Sequence, residues 1–246
     1  MEQHHELWIT SVFNTYLAGV GNGILGLFGQ HAHDPAKPWA NFMTMQILTA
    51  LLVIVIFALL RGRLSMDKPG KMQHIFETFY TFLHDQAEEA AGHGGTKYLA
   101  FFGTLFFFIL FCNLIGIIPG LESPTMFPAV TLGCAIAAFL YYNIVGVQAV
   151  GLGHYLKHFV GPMPMLAPLM IPIEIVSHFA RPLSLTIRLY ANMLAGEKVT
   201  LVFLGLTYFV APAVFMGLHV FVAFLQAYVF TVLTMMYVGG ATAHEH

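Results

Sequence analysis

The chain has 246 residues, of which 58% are hydrophobic and only 9% are charged, and its formal net charge is −2. A soluble domain carries about 25% charged residues, so this composition indicates an integral membrane protein. The net negative charge and the lack of a basic run exclude a nucleic-acid-binding protein, which would need lysines and arginines to neutralise phosphates.

The first part of the chain is apolar but irregular. Residues 7–29 contain five glycines and two asparagines. Glycine weakens helices and polar residues oppose membrane insertion, so we expect an interfacial segment here instead of a span. The first clear transmembrane helix is predicted at 41–60, because a span needs about 20 consecutive apolar residues. Residues 1–40 are therefore expected to form an outer-side or interfacial segment, and residues 41–246 a single transmembrane domain.

The rest of the chain alternates between one polar region and several apolar ones. Residues 66–97 are the most polar, with apolar side chains at helical spacing, which predicts an amphipathic helix on the membrane surface. Further spans are predicted at 98–118, 129–150, 169–206 and 212–239. The last two would be about 40 Å or longer, against a hydrocarbon core of about 30 Å. The predicted fold is an all-α integral membrane protein with about five transmembrane helices, the last two long and strongly tilted as a hairpin.

Basic residues fall mainly on one side of the five predicted spans. Lys37 alone falls on the other side. This asymmetry follows the positive-inside rule, so we expect the N-terminus outside and the C-terminus in the cytoplasm. The basic residues on the predicted cytoplasmic side are Arg61, Arg63, Lys68, Lys71, Lys97 and Lys157.

One face of the helix predicted at 169–206 carries ionisable residues. Such residues are costly in hydrocarbon and usually serve an ion or substrate path. Arg188 is in the middle of the helix, too far from either end for its charge to reach the membrane surface. Arg181 and Lys198 lie nearer the ends, where a long side chain can extend its charged group to the membrane–water interface. At 100° per residue, the following side chains, here called the polar stripe, lie within about 40° of one line: Glu174, His178, Arg181, Leu185, Arg188 and Asn192.

A second set of polar residues points elsewhere. Glu197 lies about 140° from the line of the polar stripe. The last predicted span carries His219, Gln226 and Tyr237 on one face. A buried carboxylate needs a partner or a proton, so His219 is the expected partner of Glu197. Titratable groups around an arginine, which cannot lose its proton, suit a path in which protons move but are stopped at one point.

Other interpretations remain open at this point: a structural network of interhelical hydrogen bonds, a membrane enzyme and a secondary transporter. The sequence has no nucleophile motif or phosphate-binding loop to support an enzyme, and no internal repeat to support a transporter. His154 and His158 have the spacing of a metal-ligand pair, but the sequence offers no third ligand nearby. We therefore expect no metal and no cofactor.

The segment RPLSLTIRLYANMLAGE, which begins at Arg181, resembles the signature of subunit a of the F-type ATP synthase, the stator half of its membrane proton channel. The resemblance covers nearly the whole chain, since PGKMQHIFETFYTF, FCNLIGIIPG and LHVFVAFLQAYVFTVLTMMYV also occur in the family's order. Bacterial members are the most similar, which implies the bacterial plasma membrane. The resemblance further implies no catalytic site on this chain. The implied partners are the c-subunit ring, the b subunits of the peripheral stalk, the remaining ATP synthase subunits and membrane lipid.

The resemblance also implies roles for individual residues. Arg188 corresponds to the essential arginine that faces the ring. Glu174 and Ser184 correspond to positions of the inner half-channel or of the ring-facing surface, and the polar stripe adds His178 to the proton path. The residues that correspond to the lining of the outer half-channel are Asn113, Asn192, Glu197, His219 and Gln226.

Several small residues carry expectations of their own. Ala191, Ala195 and Gly196 should let a ring helix approach the long helix closely. Gly116 and Gly133 stand where some members of the family have polar residues. We expect water to fill these gaps in the outer half-channel.

Overall fold

The computed structural model describes residues 6–27, 34–62, 64–65, 70–92, 94–118, 120–153, 155, 167–206 and 210–242. All regular secondary structure within these ranges is helical, which confirms the all-α prediction. The α-helices are α1 (Trp8–Leu27), α2 (Asn41–Arg61), α3 (Lys71–Ala91), α4 (Leu99–Ile115), α5 (Pro128–Val150), α6 (Ala167–Leu206) and α7 (Val210–Thr242), and short 3-10 helices span Gly95–Tyr98 and Pro124–Met126.

Four helical segments of the described residues are long and apolar enough to cross a membrane. They are α2, α5, α4 with its preceding 3-10 turn, and residues 213–242 of α7. This confirms an integral membrane protein. α6 is not among the four although it has 40 residues. The reason is the polar stripe, which interrupts its apolar sequence.

The core lies where α4, α5, α6 and α7 meet, and α7 contacts each of the other three. Phe106, Leu189 and Phe230 are fully buried there, as are the small residues Ala223 and Ala227. Lipid is as apolar as these side chains, so close packing stabilises such an interface more than hydrophobic burial does. The small residues of α7 therefore bring its neighbours close to its backbone.

α6 and α7 form the predicted antiparallel hairpin. The rings of Phe203 and Phe215 stack with their centroids 4.0 Å apart. At the other end, the Arg181 guanidinium lies 5.2 Å from the ring centroid of Tyr237. The same number of residues separates these contacts on each helix, so the register holds over roughly 33 Å. At roughly 60 Å, α6 is about twice as long as the hydrocarbon core is thick, so it must tilt or project from the membrane.

α3 is the predicted amphipathic helix, and it runs parallel to the second half of α7. Phe79 lies against Phe224, and Phe82 lies against Tyr228. The Tyr228 hydroxyl donates a hydrogen bond to Oε1 of Gln86 at 2.8 Å. The structure thus confirms the apolar face of this helix and adds that this face packs on α7.

α1 is attached to the first turn of α2 and to the loop before it. The hydroxyls of Thr10 and Thr44 lie 2.7 Å apart. The Asn14 side chain donates to the carbonyl of Trp39 at 3.3 Å and accepts from the N–H of Trp39 at 3.0 Å. These polar contacts hold α1 at one end of α2, a geometry that fits the interfacial segment predicted from the sequence.

The contact between α3 and α7 can be tested at Gly239. A Cβ atom there would lie 2.7 Å from the carbonyl oxygen of Ala90 and 2.7 Å from Cα of Ala91. Gly239→Ala should therefore force the two helices apart and destabilise the protein by about 1–3 kcal/mol. The measurement is the midpoint of thermal unfolding of the purified protein, which should fall.

Gly240→Ala is the matched control, because a Cβ atom at Gly240 would have no neighbour within 4 Å. Alanine favours a helix by about 1 kcal/mol over glycine, so this variant should unfold at the same or a higher temperature. Equal midpoints for the two variants would contradict the close packing of α3 on α7.

Candidate functional site

Buried polar side chains meet where the end of α4 lies beside α7. The fully buried Asn113 donates from Nδ2 to the carbonyl of Ala223 at 3.2 Å. The Thr125 hydroxyl donates to Oδ1 of Asn113 at 2.6 Å, and the Ser123 hydroxyl lies 2.7 Å from that of Thr125. The group formed here with neighbouring residues of α6 and α7 is called the α4–α7 cluster: Asn113, Ser123, Thr125, Asn192, His219 and Gln226.

The α4–α7 cluster extends across the α6–α7 interface. Ala223, whose carbonyl binds Asn113, lies one turn from both His219 and Gln226 on α7. Oε1 of the buried Gln226 accepts from Nδ2 of Asn192 at 2.9 Å. The structure therefore brings together four of the five residues that the resemblance assigns to the outer half-channel.

Two buried nitrogens of this cluster have no hydrogen-bond partner among the described residues. They are Nε2 of His219 and Nε2 of Gln226. Buried polar atoms are almost always bonded, because leaving one unpaired costs about 1–3 kcal/mol. Water is the ordinary partner of such groups. The cluster is thus chemically suited to hold water beside a histidine, which can exchange protons.

His219 lies directly against α6 at Gly196. A Cβ atom at Gly196 would be 2.8 Å from Nδ1 of His219, so glycine makes room for the imidazole. The expectation that Gly196 lets a ring helix approach is therefore wrong, since this position faces α7. Ala191 and Ala195 do lie on the exposed side of α6. The half-buried Glu197 directly follows Gly196, the residue that lies against His219.

The two glycines that replace polar residues have different surroundings. A Cβ atom at Gly116 would lie 2.7 Å from Cβ of Ser123, so Ser123 occupies that space. The hydroxyls of Ser123 and Thr125 supply polar groups there, where the sequence suggested water. A Cβ atom at Gly133 would have no neighbour within 4 Å. The sequence missed Ser123 and Thr125 because they are neutral hydroxyl residues in a short connection without a periodic pattern.

A second group of polar side chains lies nearer the start of α6. His178 is only 9% exposed, and its Nε2 lies 3.0 Å from Oδ1 of Asn143. The Tyr155 hydroxyl donates to the same oxygen at 2.7 Å, and the Tyr142 hydroxyl lies 3.4 Å from both ring nitrogens of His178. We call these four residues the α5–α6 cluster. The sequence singled out His178 but none of the other three residues of this cluster.

Arg181 and Glu174 lie on α6 beside the α5–α6 cluster. Nη2 of Arg181 is 4.0 Å from Oε1 of Glu174, and the two side chains are 33% and 31% exposed. Such a partly exposed pair contributes little to stability. Arg181 also lies over the ring of Tyr237. Its charge therefore has a carboxylate and an aromatic ring beside it within the chain.

Arg188 lies between the two clusters. Its Nη2 is 3.4 Å from Oγ of Ser184, and it forms no ion pair with a carboxylate of the described residues. Along α6 it is about 6 Å from Asn192 and about 15 Å from His178. Its side chain borders an open face of α6, whose exposed residues include Ala180, Leu183, Ser184, Ile187, Ala191 and Ala195.

An apolar layer separates the two clusters at the α6–α7 interface. Leu189, Met193 and Phe230 are fully buried there, and Leu185 is 3% exposed. On α6, Leu185 and Leu189 lie between Arg181 and Asn192. Packed hydrocarbon side chains would thus separate water in one cluster from water in the other.

Comparison with known proteins identifies the family. A family model described as ATP synthase A chain matches residues 43–239. The chain belongs to this family. It is 68% identical over 235 residues to ATP synthase subunit a of Solibacter usitatus (strain Ellin6076), a match that covers 96% of this chain and 100% of that protein. It is also 48% identical over 242 residues to ATP synthase subunit a of Koribacter versatilis (strain Ellin345), covering 98% and 99% of the two chains.

More distant members of the ATP synthase A chain family match as well. ATP synthase subunit a of Sulfurihydrogenibium sp. (strain YO3AOP1) is 42% identical over 201 residues, which is 81% of this chain and 96% of that protein. The family match extends from α2 to α7 and therefore contains both polar clusters and Arg188. The described residues contain no group of three or more His, Cys, Asp or Glu that could hold a metal ion. His154 and His158 lie outside the described residues.

The register that assembles the α4–α7 cluster can be tested by cross-linking. In a chain with the two native cysteines replaced (Cys112→Ser, Cys134→Ser), the pair Asn192→Cys and Gln226→Cys should form a disulfide under mild oxidation, because their side chains are hydrogen-bonded. The pair Ala191→Cys and Gln226→Cys is the control, since Ala191 points about 100° away from Asn192 around α6. Mass spectrometry of tryptic peptides reports the bond. Equal cross-linking of both pairs would contradict the register.

Proposed function

We propose that this chain is the stator subunit of the membrane sector of an ATP synthase, in which it conducts protons to and from the carboxylates of a rotating c-subunit ring. The observation that carries the proposal is the position of Arg188 between the α4–α7 cluster and the α5–α6 cluster. The α4–α7 cluster would line an aqueous half-channel from the outer side, and the α5–α6 cluster one from the inner side. The chain itself would catalyse no step of ATP synthesis or hydrolysis, which occurs on other subunits.

The permanent charge of Arg188 explains why protons must use the ring. A ring carboxylate facing lipid stays protonated, because an ion in hydrocarbon is costly. Beside Arg188 it loses the proton, because an adjacent positive charge favours the ionised form. The guanidinium cannot be deprotonated and therefore cannot pass a proton along the helix. A proton crosses only by travelling on the ring, and each crossing is worth about 2.3 kcal/mol per 100 mV. Several protons are therefore needed for each ATP.

The open face of α6 supports contact with a ring helix. Ala180, Ser184, Ala191 and Ala195 are exposed there and have small side chains. Small residues at helical spacing let a neighbouring backbone approach closely in a membrane. Arg188 lies at the edge of this face, so its guanidinium could meet a carboxylate on the passing helix while the other side of α6 remains packed on α5 and α7.

Each cluster supplies groups suited to its half-channel. On the outer side, Asn113, Asn192 and Gln226 would hold water, and His219 would exchange protons with the partner we propose for it, Glu197. On the inner side the corresponding residues are Glu174, Ser184 and His178. The apolar layer between the clusters would keep the two water-filled regions apart.

The chain is proposed to reside in the bacterial plasma membrane with the N-terminus outside and the C-terminus in the cytoplasm, as the basic residues indicate. α1 would lie at the outer surface, because Trp8 and Tyr16 are 69% and 81% exposed and such residues favour the membrane–water interface. Besides lipid and the c-subunit ring, the proposed partners are the b subunits of the peripheral stalk and the remaining ATP synthase subunits.

Replacement of Arg188 tests the central claim. Arg188→Ala should abolish ATP-driven proton pumping into inverted membrane vesicles and increase passive proton leak, because the barrier between the half-channels is lost. Arg188→Lys should not restore full pumping, since an ammonium group is a point charge that can lose its proton. Arg61→Ala, at the exposed end of α2, is the control and should pump normally. Pumping by Arg188→Ala at the wild-type rate would refute the proposed function.

The pairing of Glu197 with His219 has a separate test. Each single exchange, Glu197→His or His219→Glu, should impair pumping, because it places two like groups side by side. The double exchange restores one carboxylate and one imidazole and should recover activity measured in the same vesicles. A double variant no better than the single ones would show that the two residues do not act as a pair.

A further inference from the structure

Asn143 lies at the centre of the α5–α6 cluster, and its hydrogen bonds fix the orientation of its amide. Nδ2 of Asn143 donates to the carbonyl of Phe139 at 2.6 Å. A carbonyl oxygen only accepts hydrogen bonds, so the amide nitrogen must be at this end. Oδ1 therefore faces Nε2 of His178 at 3.0 Å and the hydroxyl of Tyr155 at 2.7 Å.

The orientation of this amide determines the tautomer of His178. Oδ1 of Asn143 cannot donate a hydrogen bond, so Nε2 of His178 must carry a hydrogen. A neutral imidazole carries only one such hydrogen, which leaves Nδ1 as the acceptor. The Tyr155 hydroxyl must also donate to Oδ1, and the amide thereby binds two donors at once.

Among the described residues, charged and titratable groups of α5, α6, α7 and the connection after α5 lie around His178 or its partner Asn143. Glu174 and Arg181 lie one turn before and after it on α6. Tyr142 of α5 and Tyr155 of the connection after α5 approach its ring or its partner Asn143. Tyr237 of α7 packs on Tyr142, with ring centroids 5.8 Å apart. Among these side chains, histidine is the one whose ordinary pKa allows proton uptake and release near neutral pH.

We propose that Asn143 is a positioning residue of the inner half-channel, which holds His178 as its Nε2–H tautomer so that protons enter and leave at Nδ1. This inference rests on the proposed function. A proton released by a ring carboxylate and carried by water binds the Nδ1 lone pair and forms an imidazolium. The same proton then leaves Nδ1 for water on the cytoplasmic side. Asn143 stays bound to Nε2–H throughout and is never protonated itself.

The tautomer can be observed directly by ¹⁵N NMR of membranes that contain the assembled complex labelled with [¹⁵N]histidine. His178→Gln identifies the signals of this ring by their loss. We expect a protonated Nε2 and an unprotonated Nδ1 in the wild type.

Tyr155→Phe should keep this signature, because Phe139 still orients the amide. Asn143→Leu should lose the fixed Nε2–H signature, whereas Asn143→Asp, which keeps an oxygen facing the ring, should retain it.

ATP-driven pumping provides the functional readout. Asn143→Leu should pump several-fold more slowly than the wild type, and Asn143→Asp should recover part of that loss. Gln148→Leu is the matched control, because it removes an amide from the exposed side of the same helix and should pump normally. A structural role of Asn143 alone would lower pumping without changing the tautomer of His178.

Two results would overturn the inference: an Nδ1–H tautomer in the wild type, or an unchanged tautomer with normal pumping in Asn143→Leu. The wild-type spectrum decides the point even if Asn143→Leu fails to assemble. Failure of the proposed function looks different, because Arg188→Ala would then pump normally. If Arg188→Ala is inactive while Asn143→Leu keeps both the wild-type rate and the Nε2–H signature, only the role of Asn143 is refuted.

Discussion

The permanent positive charge of Arg188, in the middle of α6, constrains the whole α6–α7 hairpin. Arg188 cannot be neutralised by losing a proton, and the described residues offer it no carboxylate. Arg181, two turns away, shows the alternative, because it has Glu174 and the ring of Tyr237 as partners. Under the proposed function, water or a carboxylate of the c-subunit ring would compensate the charge of Arg188. One side of α6 is accordingly open while the other is packed on α5 and α7.

The packed side of α6 does two things at once. Its register with α7 places Asn192 on Gln226 and Arg181 on Tyr237, so one rigid interface positions both polar clusters. Large apolar residues between them, such as Leu189 and Phe230, are fully buried. Hydrocarbon packing in the middle is thus as necessary to a two-channel arrangement as the polar residues at either end.

Length and hydropathy were sufficient to predict most of the helices, because an apolar run of about 20 residues has few other stable states. The free-energy cost of placing ionisable groups in hydrocarbon drew attention to Arg188, His178 and His219 in the sequence. Neutral partners such as Asn143 carry no comparable signal, since a single amide within an apolar span is common in structural and functional positions alike. Gly196 was misassigned for a related reason: periodicity gives the direction of a small residue on its helix but not the neighbour that fills the space.

The two clusters satisfy their polar atoms in different ways, and this difference bears on how each would carry protons. In the α4–α7 cluster, buried nitrogens of His219 and Gln226 have no partner among the described residues. Each such group costs about 1–3 kcal/mol unless water binds it, so the folded chain favours hydration at this point. In the α5–α6 cluster, an amide of fixed orientation binds both His178 and Tyr155. Mobile water would therefore dominate the outer route, and a histidine held in one tautomer the inner one.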